Sequence, residues 1–315
     1  MARCAFATAV KHMEVHGDVD GSVHFDAGAQ GVEALAWIVD VPALEQRLAE
    51  AVRYQPQVEV VDSPVQAPLT AICEGRASAT RAEFGVDFDV TPYGQHAIAT
   101  GCLRIAARPS RAPVVLSQGI LALLPLEGAD GHSVAVVWSV AQADAAHWQS
   151  TDEATFTQAL SEISQSSLGQ LQLQGLRMVW PLQQAVAKRW CGPFPGTTEA
   201  RTPTSWVLAG DAAHNVHPLA GQGLNIGLAD VQALSRILQA RGDWRSTGDL
   251  KLLRRYERER KAGLAPLGLA MDGLQQLFTR PEAPVQALRN WGLRSFERSG
   301  LLKDWTARQA MGLPR

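Results

Sequence analysis

Apolar and polar residues alternate along residues 11–39. In "HMEVHGDVDGSVHFDA" (12–27) the period of two predicts two short strands around a Gly-Asp/Asp-Gly turn. "ALAWIVD" (34–40) predicts a third strand. The period then changes. Pro42 opens "PALEQRLAEAV", where Leu44, Leu48 and Val52 recur at i, i+4 and i+8 and predict an amphipathic helix. "VEVVD" (58–62) predicts a strand, and "PLTAICEG" (68–75) a buried strand ending in glycine. Between 88 and 140, "HAIATGCLRIAA", "GILALLPLE" and "HSVAVVWSV" read as strands of a mostly antiparallel sheet.

Helical spacing returns at 151–172, with Phe156, Leu160 and Ile163 inward and Thr151 or Asp152 as N-cap. "RMVWPL" is a further strand, and "SWVLAGD" (205–211) a buried one. A helix is predicted from about Leu224 to Arg241. After the polar break "GDWRSTGD", a charged helix covers about 249–263, with Leu252, Leu253 and Tyr256 inward and a solvated opposite face. The last fifty residues read as more helices, with turns at Pro281 and Pro284. The order is α/β, then β-rich, then strand–turn–helix, then helices. It predicts a mixed α/β fold in which an α/β domain is interrupted by a sheet domain.

Composition narrows the class without choosing a function. Of 315 residues, 46% are hydrophobic and 19% charged, with a net charge of −2, so nothing global points to nucleic acid. Cys4, Cys73, Cys102 and Cys191 are not at metal-ligand spacing and read as reduced thiols. The apolar run at 114–126 falls short of the roughly 20 residues that cross a bilayer. The N-terminus lacks the apolar core of a signal peptide, so a cytoplasmic protein is expected.

The candidate chemistry lies in "GDAAHNVHPLAGQGLNIGLAD" (210–230). The strand "WVLAG" delivers Asp211 at its C-terminal end, where open α/β sheets place ligands. Gly221 and Gly223 flank Gln222 and let backbone approach a flat ligand closely. The helix that follows offers free amides and a dipole favouring negative charge. A carboxylate for hydroxyls beside a helix start for an electron-rich ring suits a flavin. A nucleotide, or a tight strand–helix connection with glycines for packing, fits the same residues. His214 and His217 have no third ligand placed with them and read as positioning the loop, not as a metal site. His12, His16 and His24 read as surface or satisfied, and Trp138 and Trp180 as core.

This stretch resembles the second flavin-binding motif of the class A flavoprotein aromatic hydroxylases. Its "H-P-x-x-G-Q-G-x-N-x-G" form is similar to the ubiquinone-biosynthesis hydroxylase branch. "CEGRASATR" (73–81) resembles the family's D-G-x-x-S-x-x-R segment, with Glu74 where Asp is usual and with Gly75, Ser78 and Arg81 in place. "YGQHAIAT", "ILALLPLEG", "VAVVWSV", "YERERKAG", "AMDGLQQLF" and "RQAMGL" resemble the branch in the same order, so the likeness covers nearly the whole chain.

The resemblance implies an FAD/NAD(P)-binding, para-hydroxybenzoate-hydroxylase-like fold. It implies FAD as cofactor, NAD(P)H as co-substrate and O2-dependent hydroxylation of an aromatic ring, a ubiquinone precursor. Gly210 and Asp211 would meet the ribityl chain. Pro218, Gly221, Gln222, Gly223, Leu224 and Asn225 would face the pyrimidine edge. Glu74, Gly75 and Arg81 would complete the cofactor site, and Pro125 and His217 the substrate side. No protein nucleophile is implied. The division would be 1–39 substrate-domain hairpin, 40–82 FAD-domain part, 83–180 substrate-domain sheet, 181–245 FAD-domain part with the Gly-Asp motif, and 246–315 C-terminal helices.

Departures accompany the likeness. No G-x-G-x-x-G on a βαβ unit occurs in these 315 residues: neither "DAGAQGVEA" nor "EGADGHS" has the required context. At "RIAARPSRAPVVLSQG" (104–119) Ser110 follows Pro109 where relatives carry His, and the aromatic-rich strand is not matched. The alternative expectation is therefore a truncated or degenerate member with little flavin binding, acting as an accessory protein. A flavin-dependent oxidoreductase of another type is a third. Because a quinone precursor is lipid-soluble, contact with a membrane surface or a ubiquinone-biosynthesis complex is also implied.

Overall fold

The computed structural model describes residues 7–17, 21–104, 111–115, 119–126, 132–166, 168–196, 204–215, 222–279 and 282–311. The chain begins with strands β1 (Ala7–Val10), β2 (His12–His16), β3 (Ser22–Asp26) and β4 (Ala36–Val39). Helix α1 (Val41–Val52), β5 (Leu69–Ile72) and α2 (Ala79–Glu83) follow. Next come β6 (Phe88–Arg104), β7 (Arg111–Val115), β8 (Leu121–Leu126) and β9 (Ser133–Ala141), then α3 (Ala145–Ser150) and α4 (Glu153–Ile163). The remainder is β10 (Leu171–Ala187), β11 (Cys191–Pro193), β12 (Ser205–Leu208), β13 (His214–Asn215), α5 (Gly223–Gln239), α6 (Leu250–Thr279), α7 (Ala283–Glu297) and α8 (Leu301–Ala310).

Two compact units result. Unit one comprises Met1–Val60, Gln95–Pro181 and Gln275–Arg315; unit two comprises Val61–Gly94 and Leu182–Leu274. Unit one is organised by a sheet of order β10-β6-β9-β8-β7-β2-β3. Its pairs are antiparallel at β6–β9, β8–β9, β7–β8 and β2–β3, and parallel at β2–β7. Alternation along β8 and β9 sends Leu121, Leu123, Val134, Val136 and Trp138 inward, where Phe156 and Leu160 of α4 pack with them. Asp152 caps α4 by accepting from the Thr155 amide at 2.9 Å.

Several expectations change here. The helix expected over 151–172 ends at Ile163, because Gln165 and Ser166 take left-handed backbone (φ 50° and 52°) and Leu171 already starts β10. In α1 Pro42 opens the helix as expected and Asp40 caps it, but no α1 residue is buried and Leu48 is 55% exposed. "VEVVD" forms no strand, and Val60 is 78% exposed. Valine-rich sequence becomes a strand only against a hydrogen-bonded neighbour, and none is present for it among the described residues. Trp138 is core, whereas Trp180 is partly exposed. Strand β7 and its parallel pairing with β2 had no signal in the alternation.

Unit two contains a three-stranded sheet of order β11-β12-β5. β12 is parallel to β5, with Leu208 beside Ile72, and antiparallel to β11. All four residues of β12 are buried, as a strand with neighbours on both edges requires. β5 is less buried than expected: only Ile72 is enclosed. Gly192 of β11 is fixed by space, since a Cβ there would lie 2.7 Å from the Trp206 ring. The core is built from Ile72, Trp190, Trp206, Val207, Leu208, Ile237, Leu253 and Tyr256. Leu252, Leu253 and Tyr256 are the inward stripe that the charged helix α6 promised.

Candidate functional site

The site is built where β12 ends. Its chain passes through Ala209 into a 3-10 turn, Gly210–Ala212. Gly210 has φ +61°, a conformation that a side chain would strain. Ala212 and Ala213 are fully buried, and between them and Gly210 the side chain of Asp211 is exposed. Asp211 accepts no hydrogen bond from any described residue. The turn leads into β13, whose His214 pairs with Val186 of β10.

Residues 216–221 lie outside the described residues, and with them the expected Pro218, Gly221 and His217. Helix α5 resumes at Gly223 after Gln222. Among the described residues no side chain caps its start: the Gln222 Oε1 accepts instead from Asn225 Nδ2, at 3.1 Å. The first amides, including those of Gly223, Leu224 and Asn225, have no i−4 carbonyl within the helix. Gly227 packs α5 against the turn; a Cβ there would lie 3.6 Å from Gly210 Cα.

The second motif meets the first. Gly75 turns the chain with φ +79° after β5. Ser78 is the N-cap of α2: its Oγ accepts from the Arg81 amide at 3.1 Å and donates to Glu74 Oε2 at 2.7 Å. Arg81 is buried, and its guanidinium donates to the Ala212 carbonyl at 3.0 Å and the Arg76 carbonyl at 2.8 Å. It also lies over the Phe88 ring, 3.8 Å from the centroid. Arg81 thus ties residues 73–81 to the carbonyl next to Asp211. Glu74 is held within its own segment, accepting from Ser78, the Thr80 amide (3.1 Å) and the Thr80 hydroxyl. The Thr80 and Ser78 hydroxyls hold its carboxyl below the usual carboxylate range. Pro125 of β8, in unit one, is buried in the row of Leu121 and Leu123.

A buried ionic group behind the turn escaped the sequence reading. Asp230 of α5 is fully buried. Its Oδ2 accepts the Gly210 amide at 2.9 Å and faces His214 Nε2 at 2.6 Å, while Oδ1 accepts Arg260 Nε at 2.6 Å. Burial alone would push this carboxyl up; the bonds from His214, Arg260 and the Gly210 amide outweigh burial and hold it below the usual range. An ionised carboxylate only accepts, so the His214 Nε2 carries the proton. The imidazole stacks on Trp190, with centroids 5.0 Å apart and planes at 28°. One signal could have revealed the group: Asp230 falls in the apolar register Ile226, Ala233, Leu234, Ile237 of α5. Among the described residues no three His, Cys, Asp or Glu side chains converge on a metal position, and no helix is long and apolar enough to cross a membrane.

The chain has the fold of the FAD-dependent aromatic monooxygenases. It aligns with the p-nitrophenol 4-monooxygenase PnpA of Pseudomonas putida at TM-score 0.72, over 98% of this chain and 83% of that one, at 16% identity. It aligns with a single-substitution variant of Klebsiella pneumoniae HpxO complexed with FAD at TM-score 0.68, over 97% and 83%, also at 16% identity. The chain belongs to the FAD binding domain family, whose model matches residues 40–265.

Among curated proteins it is 27% identical to the 3-demethoxyubiquinol 3-hydroxylase of Escherichia coli, over 92% of this chain and 76% of that protein. It is 31% identical to the ubiquinone hydroxylase UbiL of Rhodospirillum rubrum, covering 79% of this chain and 55% of UbiL. It is 30% identical to the human ubiquinone biosynthesis monooxygenase COQ6, covering 77% of this chain and 56% of COQ6. The chain thus spans a little over half the length of the last two.

The residues present suit the ring and ribityl part of FAD. Asp211 presents a carboxylate that no described residue satisfies, on a turn packed against α5, whose start no described side chain caps. A polyol hydroxyl can donate to the first, and ring oxygens and nitrogen can accept from the second.

Proposed function

We propose that this chain forms the flavin-ring part of an FAD-dependent monooxygenase that hydroxylates an aromatic ring, a ubiquinone precursor, using NAD(P)H and O2. The observation carrying the reading is the Asp211 carboxylate, which no described residue satisfies, on a turn packed against α5, whose start no described side chain caps. The family match and the ubiquinone-hydroxylase relatives support it.

In this reading Asp211 accepts from the ribityl hydroxyls. The backbone of Gln222, Gly223, Leu224 and Asn225 donates to the pyrimidine edge, with Pro218 and Gly221 completing the loop. The helix dipole favours negative charge on the reduced ring. Gly210 gives the turn its shape, and Arg81 and Gly75 bring residues 73–81 against it; Glu74 shapes that segment through Ser78 and Thr80. Bound there, FAD would supply the redox chemistry toward NAD(P)H, O2 and the aromatic ring. The chain's own task is to orient cofactor and substrate and to exclude water. Segments 1–39 and 83–180 form the substrate domain, with Pro125 and His217 on the substrate side. Segments 40–82 and 181–245 form the cofactor domain, and 246–315 the C-terminal helices. A lipid-soluble substrate also calls for contact with a membrane surface or a biosynthetic complex.

The test is the visible spectrum of the purified chain with added FAD, followed by NAD(P)H oxidation with a phenolic quinone precursor. Flavin bands that stay with the protein, and a hydroxylated product, are expected. A chain that stays colourless overturns the cofactor reading. Oxidation of NAD(P)H without hydroxylated product points to another oxidoreductase.

A further inference from the structure

Asp211 lies between two backbone groups that buried charged side chains hold. On one side the Gly210 amide donates to Asp230, and on the other the Ala212 carbonyl accepts from Arg81. Asp230 is itself held by Arg260 of α6, which also donates to the Ile226 carbonyl at 3.2 Å. One helical turn earlier, Tyr256 donates to the Leu208 carbonyl at 3.1 Å, where β12 gives way to the turn. A left-handed glycine is conformationally permissive, so Gly210 alone does not select one direction for Asp211. Three or more fixed points around it do.

A buried ion pair is a poor source of stability, because apolar residues of like volume serve as well or better. Its presence behind a ligand-facing turn therefore calls for a role in geometry. We propose that Asp230, held by Arg260, is a positioning residue for the flavin site: it fixes the Gly210 amide and so directs the Asp211 carboxylate at the ligand. The inference rests on the reading of Asp211 as a cofactor contact.

The experiment uses the full chain and two readouts, hydrogen exchange of the Gly210 amide and titration with FAD followed by flavin fluorescence. The variants are Asp230→Asn and the charge-balanced pair Asp230→Leu with Arg260→Met, each with and without Asp211→Ala. Removing both charges together leaves no unpaired buried charge, so it is expected to lower the melting temperature less than Arg260→Met alone. Even so, Gly210 should exchange faster, and FAD should bind about tenfold more weakly, the scale of one hydrogen bond to a charged group. Adding Asp211→Ala should then cost no further affinity, because both changes remove the same contact.

Unaltered Gly210 exchange or unaltered FAD affinity in a folded variant overturns the proposal, as does an additive loss with Asp211→Ala. Should neither Asp230 variant fold, Arg260→Lys decides: it keeps the charge but not the planar fork, and unchanged affinity overturns the proposal. If the unaltered chain takes up no FAD, the cofactor reading falls, while Gly210 exchange still decides whether Asp230 holds the turn.

Discussion

Glu74 and Asp211 follow the C-terminal ends of two parallel neighbours, β5 and β12. By position in the sheet they are equivalent candidates for a ligand, and their surroundings make them different. Glu74 has Ser78 and Thr80 within reach and is satisfied by its own segment. Asp211 follows a left-handed glycine, its neighbours in the turn are alanines, and its carboxylate is left exposed. A carboxylate at a strand end is available to a ligand where nearby donors leave it unsatisfied. The polar groups of the second region are instead placed behind the turn, where Asp230 and Arg260 hold backbone and His214 pairs with Asp230, while Arg81 reaches the Ala212 carbonyl from the first region.

The comparison can be broken at four points. The largest effect is expected from Arg260→Met, which leaves Asp230 buried without its charged partner. Breaking one side of such a pair costs about 3–5 kcal/mol, read by urea unfolding; a loss within about 0.5 kcal/mol, as for an ordinary surface change, would show that the turn is not held from behind. Next comes Asp211→Ala. A lost hydrogen bond to a charged group is worth about 1.5–3 kcal/mol, so FAD should bind at least about tenfold more weakly, with stability changed by about 0.5 kcal/mol or less. A destabilised chain with unaltered affinity would reverse the roles given to the two carboxylates.

Ser78→Ala removes the cap of α2 and should cost about 1 kcal/mol, with FAD affinity affected less than by Asp211→Ala. The smallest effect concerns pH. The Glu74 carboxyl is held below the usual range by Thr80 and Ser78. Its contribution is present above the usual carboxylate pKa and is lost as pH falls through the lowered folded value. The group is exposed, so solvent screening keeps the contribution small. Glu74→Gln should flatten the acid limb of melting temperature against pH, and an unchanged limb would show that these hydrogen bonds do not hold the carboxylate in solution.

Much of the site was legible because its signals are local. The buried run "SWVL", the glycine after it, the acid at the strand end and the amphipathic start of α5 are each decided within a few residues by hydrophobicity and backbone freedom. The cap at Asp152 and the inward stripe of α6 are local in the same way. "VEVVD" and the face of α1 show the limit: their patterns are those of a strand and a packed helix, but neither carries its own packing partner. Trp180 shows it too, since exposure depends on what covers a strand.

By itself, the sequence determined the mixed α/β class, the flavin-type glycine motif at 210–230 and the likeness of nearly the whole chain to the ubiquinone-hydroxylase branch. Only the tertiary structure decided that Arg81 reaches the carbonyl beside Asp211, that Glu74 turns back on its own segment, and that Asp230, His214 and Arg260 meet behind Gly210. Ala212 is 131 residues from Arg81, and Arg260 is 30 from Asp230. No periodicity spans such distances; the packing of β5, β12, α5 and α6 brings these groups together, and burial then requires that each charge be paired.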